Sequence, residues 1–352
     1  MNSEYLIIGA GVAGLASAQH LLLQGATVTV VERGAVGQES SWAGGGIVAP
    51  LCPWDYADEV TRLTSLGAVL FPQWAADLHA ATGIDPEYEV SGMLVLPPFN
   101  RSLARQWCDK HEFRLELKDD GLLLPEVAQV RNPRLVQALR KHVEMLGGCI
   151  VEHCELQGIS SEGERVQSVS TSCGEFSAGR YIVSAGAWST QVLGEYALQL
   201  DIRPMRGQML LFKFDSPPLR HIVLQDGMYL IPRRDGHLLV GSTLEDVGFD
   251  KSTTDEARDS LWQRAQLLLP ALRGMPLRQH WSGLRPASPR NIPTIGRHPR
   301  LENLYLNSGH FRYGVTMAPA SAAILMNELN GVEQPFDVSP YSAGWGDVAS
   351  KS

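Results

Sequence analysis

Apolar residues fall into runs whose spacing changes along the chain, and those changes divide it. Residues 5–8 (YLII) form a short unbroken apolar run, GAGVAG follows, apolar residues at helical spacing continue over 15–24 up to Gly25, and 27–32 (TVTVVE) form a second run. The pattern predicts a buried strand, a tight turn, a helix and a second strand within about thirty residues. SSWAGGGIVAP, residues 40–50, is expected to be irregular, because three consecutive glycines mark backbone that turns sharply or approaches something closely. From about residue 82 to 132, short alternating runs such as VSGMLVLPP are separated by Pro, Gly and Asn and predict antiparallel strands of a second lobe.

Helical spacing returns over 133–146, with Leu135, Leu139 and Val143 on one face, and a short strand is expected at 149–152. RYIVSAGAWST (180–190) reads as an apolar strand ending in a small-residue turn, which returns the chain to the first lobe. GQMLLFKF, GMYLIPRR and HLLVGSTL, between 204 and 281, read as strands of the second lobe, with a helix near 254–269. The end of the chain predicts a strand at 304–307, a glycine-bracketed turn, a helix of about a dozen residues from Met317, and a loose polar tail after about Ser339.

Composition narrows the picture. With 352 residues the chain exceeds the roughly 250–300 residues of a single core, which agrees with two lobes. Apolar residues at 44% and charged residues at 19% suit an ordinary globular protein. The net charge of −8 argues against a nucleic-acid partner, whose affinity comes from clustered Lys and Arg. The five cysteines (Cys52, Cys108, Cys149, Cys154, Cys173) contain no C-x-x-C pair, so reduced thiols and a cytoplasmic location are expected, with neither a disulfide framework nor a metal site. No run approaches the roughly 20 apolar residues of a membrane span, so no stable membrane insertion is expected. H-E-x-x-H and G-x-S-x-G are absent, and His79, His111, His142 and His153 read as solvated or core residues.

The first strand, turn and helix carry a candidate binding site. Gly9, Gly11 and Gly14 match G-x-G-x-x-G in the required context: the first permits the turn, the second lets a pyrophosphate approach the backbone, and the third lets helix pack on strand. The helix N-terminus offers unpaired N–H groups to phosphate. Glu32, ending the second strand, can accept both hydroxyls of an adenosine ribose that lacks a 2′-phosphate. This unit recognises only the ADP half shared by NAD and FAD. The further glycine-rich turns at 44–46, 186 and 309–314 suit the longer cofactor with the bulkier ring, and no second G-x-G-x-x-G is present to hold a nicotinamide.

IIGAGVAGLASAQHL, SSWAGGG, VSAGAWS, SGLRPASPRNIPTIG and NSGHFRYGVTMAPASA together resemble the FAD-dependent amine oxidases of the D-amino-acid oxidase superfamily, over residues 5 to about 329. Within it the chain is most similar to the enzymes that oxidise glycine for thiamine thiazole synthesis. The resemblance implies an α/β fold in which a Rossmann-like FAD-binding domain (1–81, 134–203 and 284–340) is interleaved with an antiparallel-sheet α+β substrate domain (82–133 and 204–283), followed by a tail (341–352). It implies noncovalent FAD, since no cysteine follows Cys173 to form the covalent link that some relatives use. Gly9, Ala10, Gly11, Val12, Ala13, Gly14, Glu32 and Arg33 would serve the ADP half. Ser40, Ser41, Gly44, Gly45, Gly46 and Ile47 would lie along the pyrophosphate and ring. Leu156 would reach the adenine, Gly186 and Trp188 would close the pocket, and His310, Phe311, Arg312, Tyr313, Gly314, Val315 and Thr316 would wrap the isoalloxazine.

The resemblance also implies that Arg285 holds the substrate carboxylate, that Tyr229 contacts the same carboxylate, that Arg312 stands beside substrate and ring, and that Leu244 narrows the pocket. Leu244 and Tyr313 depart from residues found in relatives and leave side-chain tolerance open. The implied reaction is oxidative deamination of glycine, other small amino acids or N-methylglycine, with a small amino acid and molecular oxygen as partners and the possibility of a homo-oligomer. A quinone-coupled D-amino-acid dehydrogenase, a tRNA-modifying flavin domain and a nonenzymatic flavin protein share the fold; the acidic balance speaks against the second, and the set Tyr229, Arg285 and Arg312 against the third.

Overall fold

The structure is a computed structural model that describes residues 2–346. Its first sheet is built on the apolar run at the N-terminus. The strand Asn2–Ile8 lies between Val28–Val31 and Gly174–Val183, parallel to both, and Cys149–Val151 and Leu304–Ser308 extend the parallel array on either side. Residues 28–31 are buried throughout, as continuous Val-rich runs are when a parallel sheet is covered on both faces. The helices Val12–Leu23, Asp58–Thr82, Asn132–Met145 and Gly314–Asn330 share one core on this sheet through Leu15, Leu63, Leu135, Leu139 and Met317. Antiparallel strands at Leu156–Glu162 and Arg165–Thr171 continue the sheet at its edge, and Leu6, Tyr181 and Leu193 form a second cluster with them.

The second sheet runs in the order Gln279–Ala287, Arg203–Lys213, His237–Gly241, Met228–Pro232, Ile222–Gln225, Met93–Leu96, Leu122–Leu124, Glu116–Leu117. All neighbours are antiparallel except Ile222–Gln225 with Met93–Leu96. The helix Asp255–Leu268 covers one face through Leu261 and Ala265. The opposite face is turned toward the first sheet, and the long cavity described below lies between them. This is an α/β fold with a Rossmann-like unit and a second, largely antiparallel lobe.

Several local expectations need correction. Residues 40–50 are not wholly irregular: Ser40–Ala43 form a helical turn before the glycines, and Ile47–Val48 pair with Ala128–Gln129. The stretch read as strands over 82–132 also holds the helix Arg101–Lys110, started by Asn100, whose side chain accepts from the Leu103 N–H at 3.0 Å. The helix near the C-terminus is longer than expected, Gly314–Asn330. The tail does not begin loosely at Ser339, because Ser339–Ser342 is helical and buries Tyr341, whose hydroxyl donates to the Glu59 carbonyl at 2.7 Å, and Trp345 is buried against His298. Residues 347–352 of the expected tail lie outside the described residues. The boundary placed between 283 and 284 falls inside the strand Gln279–Ala287, which pairs with Arg203–Lys213 continuously from Arg203 opposite Ala287 to Leu211 opposite Gln279.

Candidate active site

The glycines of the first turn are required by close approach. Gly9 has φ +108°, and a Cβ there would stand 2.5 Å from the Ser184 carbonyl oxygen. A Cβ on Gly14 would lie 2.0 Å from the Gly9 carbonyl oxygen, so this glycine lets the helix sit on the strand. The helix that follows has no acidic residue in its first turn, and its Val12 N–H donates to Ser41 Oγ at 2.9 Å. Glu32 is held by both oxygens: Oε2 accepts from the Ala10 N–H at 2.8 Å and Oε1 from the Gly34 N–H at 3.0 Å.

These groups open onto a cavity of about 510 Å³ that runs from Glu32 and Leu156 at one end, past Gly44 to Ile47, to Tyr229, Arg285 and Arg312 at the other. Asn132, Ser184, Asn307 and His310 line it, and each carries a buried polar atom without a protein partner. The Gly186 backbone faces open space, with nothing within 4 Å of a Cβ placed there. Orphaned polar atoms, bare backbone and a helix start with no N-cap side chain of its own along one continuous cavity fit an extended dinucleotide.

At its far end the cavity becomes a small hollow on the second sheet. Register brings Gly207 opposite Gly283, and Tyr229 and Met209 each opposite Gly241, so three glycines let larger groups lie close against the sheet: the Arg285 guanidinium on Gly207, Ala43 on Gly283, and Tyr229 with Met209 on Gly241. Arg285 lies across this floor, its guanidinium resting on Gly207, with Nη2 donating to Ser242 Oγ at 2.6 Å and Nη1 to the Thr243 carbonyl at 3.2 Å. Burial lowers its pKa; Tyr229 beside it acts in the opposite direction, and the Arg312 charge adds to the lowering. Arg312 leans over the Phe311 ring, 5.4 Å from its centroid, and enters no ion pair among the described residues. Two guanidinium groups thus face one hollow with no carboxylate between them, an arrangement that an anion completes. Tyr313 is buried beside them, perpendicular to Tyr56 at 5.0 Å.

Of the residues singled out in the sequence, Gly9, Gly11, Val12, Ala13, Glu32, Arg33, Ser40, Ser41, Gly44 to Ile47, Leu156, Gly186, Trp188, Tyr229, Arg285 and His310 to Val315 line this cavity. Ala10, Gly14 and Thr316 stand behind it; Thr316 Oγ1 donates to the Ile47 carbonyl at 3.1 Å. Leu244 does not narrow the pocket: it is 45% exposed and outside the lining. The strand ends at Gly241, so the alternation that would return residue 244 to the face of Ser242 is broken. The sequence reading missed Asn132, Gly207, Met209, Ser242, Gly283 and Phe249. Phe249 lies 5.4 Å from Trp188, which in turn has the Arg33 guanidinium 3.5 Å over its ring, and all three line the cavity.

The model of the FAD dependent oxidoreductase family matches residues 4–328, nearly the whole of the two lobes. The chain belongs to this family. It is 42% identical to the glycine oxidase of Pseudomonas aeruginosa over 97% of this chain and 99% of that one. It is 31% identical to the bifunctional protein ThiO/ThiG of Trichormus variabilis, over 96% of this chain and 54% of that longer one. Among solved structures, glycine oxidase from Bacillus cereus superposes with a TM-score of 0.87 at 26% identity, covering 94% of this chain and 96% of that one. The protein is therefore an FAD-dependent amine oxidase, similar to glycine oxidases. Among the described residues no helix is long and apolar enough to cross a membrane.

His310 gives a pH prediction. Burial pulls its pKa from 6.5 to about 4, so the imidazole is neutral in the folded protein at physiological pH. The unfolded chain takes up a proton below 6.5 and the folded chain does not until about 4, so acid favours unfolding across that window. Stability is expected to fall by up to about 3 kcal/mol as the pH drops from 6.5 to 4. Tm measured against pH should show this slope in the parent and a flatter one in His310→Asn; equal slopes would assign the acid sensitivity to other groups.

Proposed function

We propose that the protein oxidatively deaminates glycine, other small amino acids and N-methylglycine, and that the paired guanidinium groups of Arg285 and Arg312, unmatched by any carboxylate in the hollow, hold the substrate carboxylate. That pairing is the observation that carries the reading. Tyr229, 7% exposed on the hollow wall, supplies a hydroxyl to the same carboxylate. Glycine-rich backbone from Gly9 to Gly14 and from Gly44 to Gly46, with Glu32 for the ribose, would hold FAD noncovalently, and His310 to Thr316 would lie along its ring.

FAD, when bound, would supply the two-electron acceptor for a hydride from the substrate Cα, with oxygen as the final acceptor. The protein's own part is to bind, orient and keep dry. A guanidinium fork fixes a carboxylate in one plane and so restricts the directions available to the adjacent Cα–H. Ala49, Leu51, Met209 and Tyr313 keep the surroundings apolar, which strengthens the charged contacts. Of the carboxylates on the cavity wall, Glu32 accepts from the Ala10 and Gly34 N–H groups, Glu39 is paired with Arg33 and Lys251, and Glu155 adjoins Leu156, so no unpaired carboxylate is assigned as a base at the hollow and the Cα hydrogen would leave with its electron pair. Water then hydrolyses the imine to the oxo acid and ammonia, or to the amine from an N-methylated substrate, while oxygen with two electrons and two protons becomes hydrogen peroxide. The product is proposed to feed thiamine thiazole synthesis, a reading supported by the similarity to the ThiO/ThiG protein.

Anaerobic titration of the holoenzyme with glycine tests this. Bleaching of the flavin absorbance, rapid recolouring in air and stoichiometric peroxide are the expected results. Bleaching by a larger D-amino acid but not by glycine would move the substrate class, and slow recolouring would point to a quinone or another acceptor in place of oxygen.

A further inference from the structure

Arg233 carries a charge that the reaction described above does not use. It follows the strand Met228–Pro232 and is only 4% exposed. Nη1 donates to Gln129 Oε1 at 2.8 Å and to the Val130 carbonyl at 3.0 Å, Nη2 donates to the Gly45 carbonyl at 2.7 Å, and Nε has no partner. Every acceptor is neutral. The surrounding carboxylates are taken by other cations: Glu87 and Asp235 by Arg131, at 3.2 and 2.9 Å, and Glu89 by Arg234 at 3.0 Å. Burial, reinforced by the Arg131 charge, pulls the Arg233 pKa down to about 10, which leaves it a cation at neutral pH. A buried cation offered only neutral acceptors is costly to keep. It is an economical arrangement where negative charge develops nearby.

The group it grips lines the cofactor cavity. Gly45 packs so closely on the second sheet that a Cβ there would stand 2.7 Å from Ile231 Cδ1 and 3.1 Å from Tyr229 Cε2. Its carbonyl is turned to Arg233, and the Gly46 carbonyl accepts from the Val130 N–H at 2.8 Å. Both carbonyls therefore face the protein. In a planar trans peptide the N–H points opposite the carbonyl, so the Gly46 N–H is directed away from Arg233, and it donates to no group among the described residues.

We propose that Arg233 is a positioning residue for the flavin: it fixes the 44–46 turn with an N–H directed to the cavity and holds positive charge behind it, so that the site favours the added electron density of the reduced ring. The proposal rests on the placement of the ring along Gly44 to Ile47. Two readouts other than turnover report it on the holoenzyme: the affinity for sulfite, which binds oxidised flavin more tightly where the site tolerates negative charge, and the midpoint potential.

Arg233→Met is expected to weaken sulfite binding about tenfold and to lower the potential by the equivalent, ~30 mV for a two-electron couple. Arg233→Lys keeps the charge without the fork and is expected to restore most of both. Gln129→Glu asks the same question where Arg233→Met does not fold, since it sets a carboxylate on Nη1, keeps that hydrogen bond and neutralises the charge. It should shift both readouts in the same direction as Arg233→Met. Sulfite affinity and potential unchanged in Gln129→Glu would overturn the proposal. Gly45→Ala tests the underlying placement separately: the flavin absorbance bands are expected to shift, and unmoved bands would mean that the ring does not lie on this turn. Shifted bands in Gly45→Ala with an unmoved Gln129→Glu would remove the role of Arg233 alone.

Discussion

Arg312→Met is expected to give a folded, yellow protein whose kcat/KM for glycine has fallen by about a hundred- to ten-thousandfold. A charge-assisted hydrogen bond is worth about 1.5–3 kcal/mol, two of them act in a guanidinium fork, and each ~1.4 kcal/mol is a factor of ten in rate. The loss should appear without unfolding because Arg312 enters no ion pair among the described residues and leans only on its neighbour Phe311. Steady-state kinetics with an FAD content measured on the same sample would check it, and kcat/KM within threefold of the parent would remove Arg312 from the substrate. Arg312→Lys should recover only part of the loss, since an ammonium keeps the charge but not the planar fork. Arg285→Met is a less clean experiment: it also leaves Ser242 Oγ and the Thr243 carbonyl without their present donor.

Gly207→Ala is expected to raise KM for glycine by roughly ten- to a hundredfold while leaving FAD affinity unchanged, the loss of one charge-assisted contact. The added Cβ would stand 2.1 Å from Arg285 Nη1 and 2.3 Å from Nη2. Those atoms are the free end of a long side chain, so the guanidinium gives way and the strand does not. Displaced by a methyl group, Arg285 loses its resting place against Ser242 and can no longer meet Arg312 across one carboxylate. Fluorescence titration of the apoprotein with FAD alongside the kinetics separates the two effects. A normal KM would show that the guanidinium finds an equivalent position, and a raised Kd for FAD would show that the change reaches beyond the hollow.

The contrast between Arg312 and Gly207 shows which parts of the site could be read from the sequence. Arg312 sits in GHFRYG, a local motif, as do Gly9, Gly11 and Gly14 with Glu32 at the end of the next strand; short-range spacing carries their geometry, because strand, turn and helix follow one another directly. Gly207 gains its meaning only from Gly283 opposite it and from Arg285 two residues further along that neighbouring strand, a register set between segments more than seventy residues apart in the chain. Composition gave no sign of it, and a lone glycine in a strand reads equally as a bulge or a bend. Asn132 and Ser242 were hidden for a similar reason: each is an ordinary polar residue at the end of an element and becomes a wall of the cavity through packing. The lobes themselves were legible because their apolar spacing differs, whereas the helix Asp58–Thr82 drew no prediction, having Pro72 in its interior and no side-chain cap at its start. Tyr341 and Trp345 were obscured by polar neighbours; their burial depends on a surface formed by residues far earlier in the chain.

The glycine floor of the hollow also sets a direction for change. Gly207, Gly241 and Gly283 are already the smallest residues a chain can carry, and a Cβ there would meet Arg285, Tyr229 with Met209, and Ala43 in turn, so no substitution at these positions can deepen the site; each can only displace the group that lies on it. A variant that accepts a bulkier amine must therefore gain its room from the larger residues of the wall, at Leu51, Met209 or Tyr313, where there are side chains to shorten. Selection for larger substrates and selection for smaller ones would then act on separate sets of residues in this protein, the first on the larger side chains of the wall and the second on the glycines beneath them.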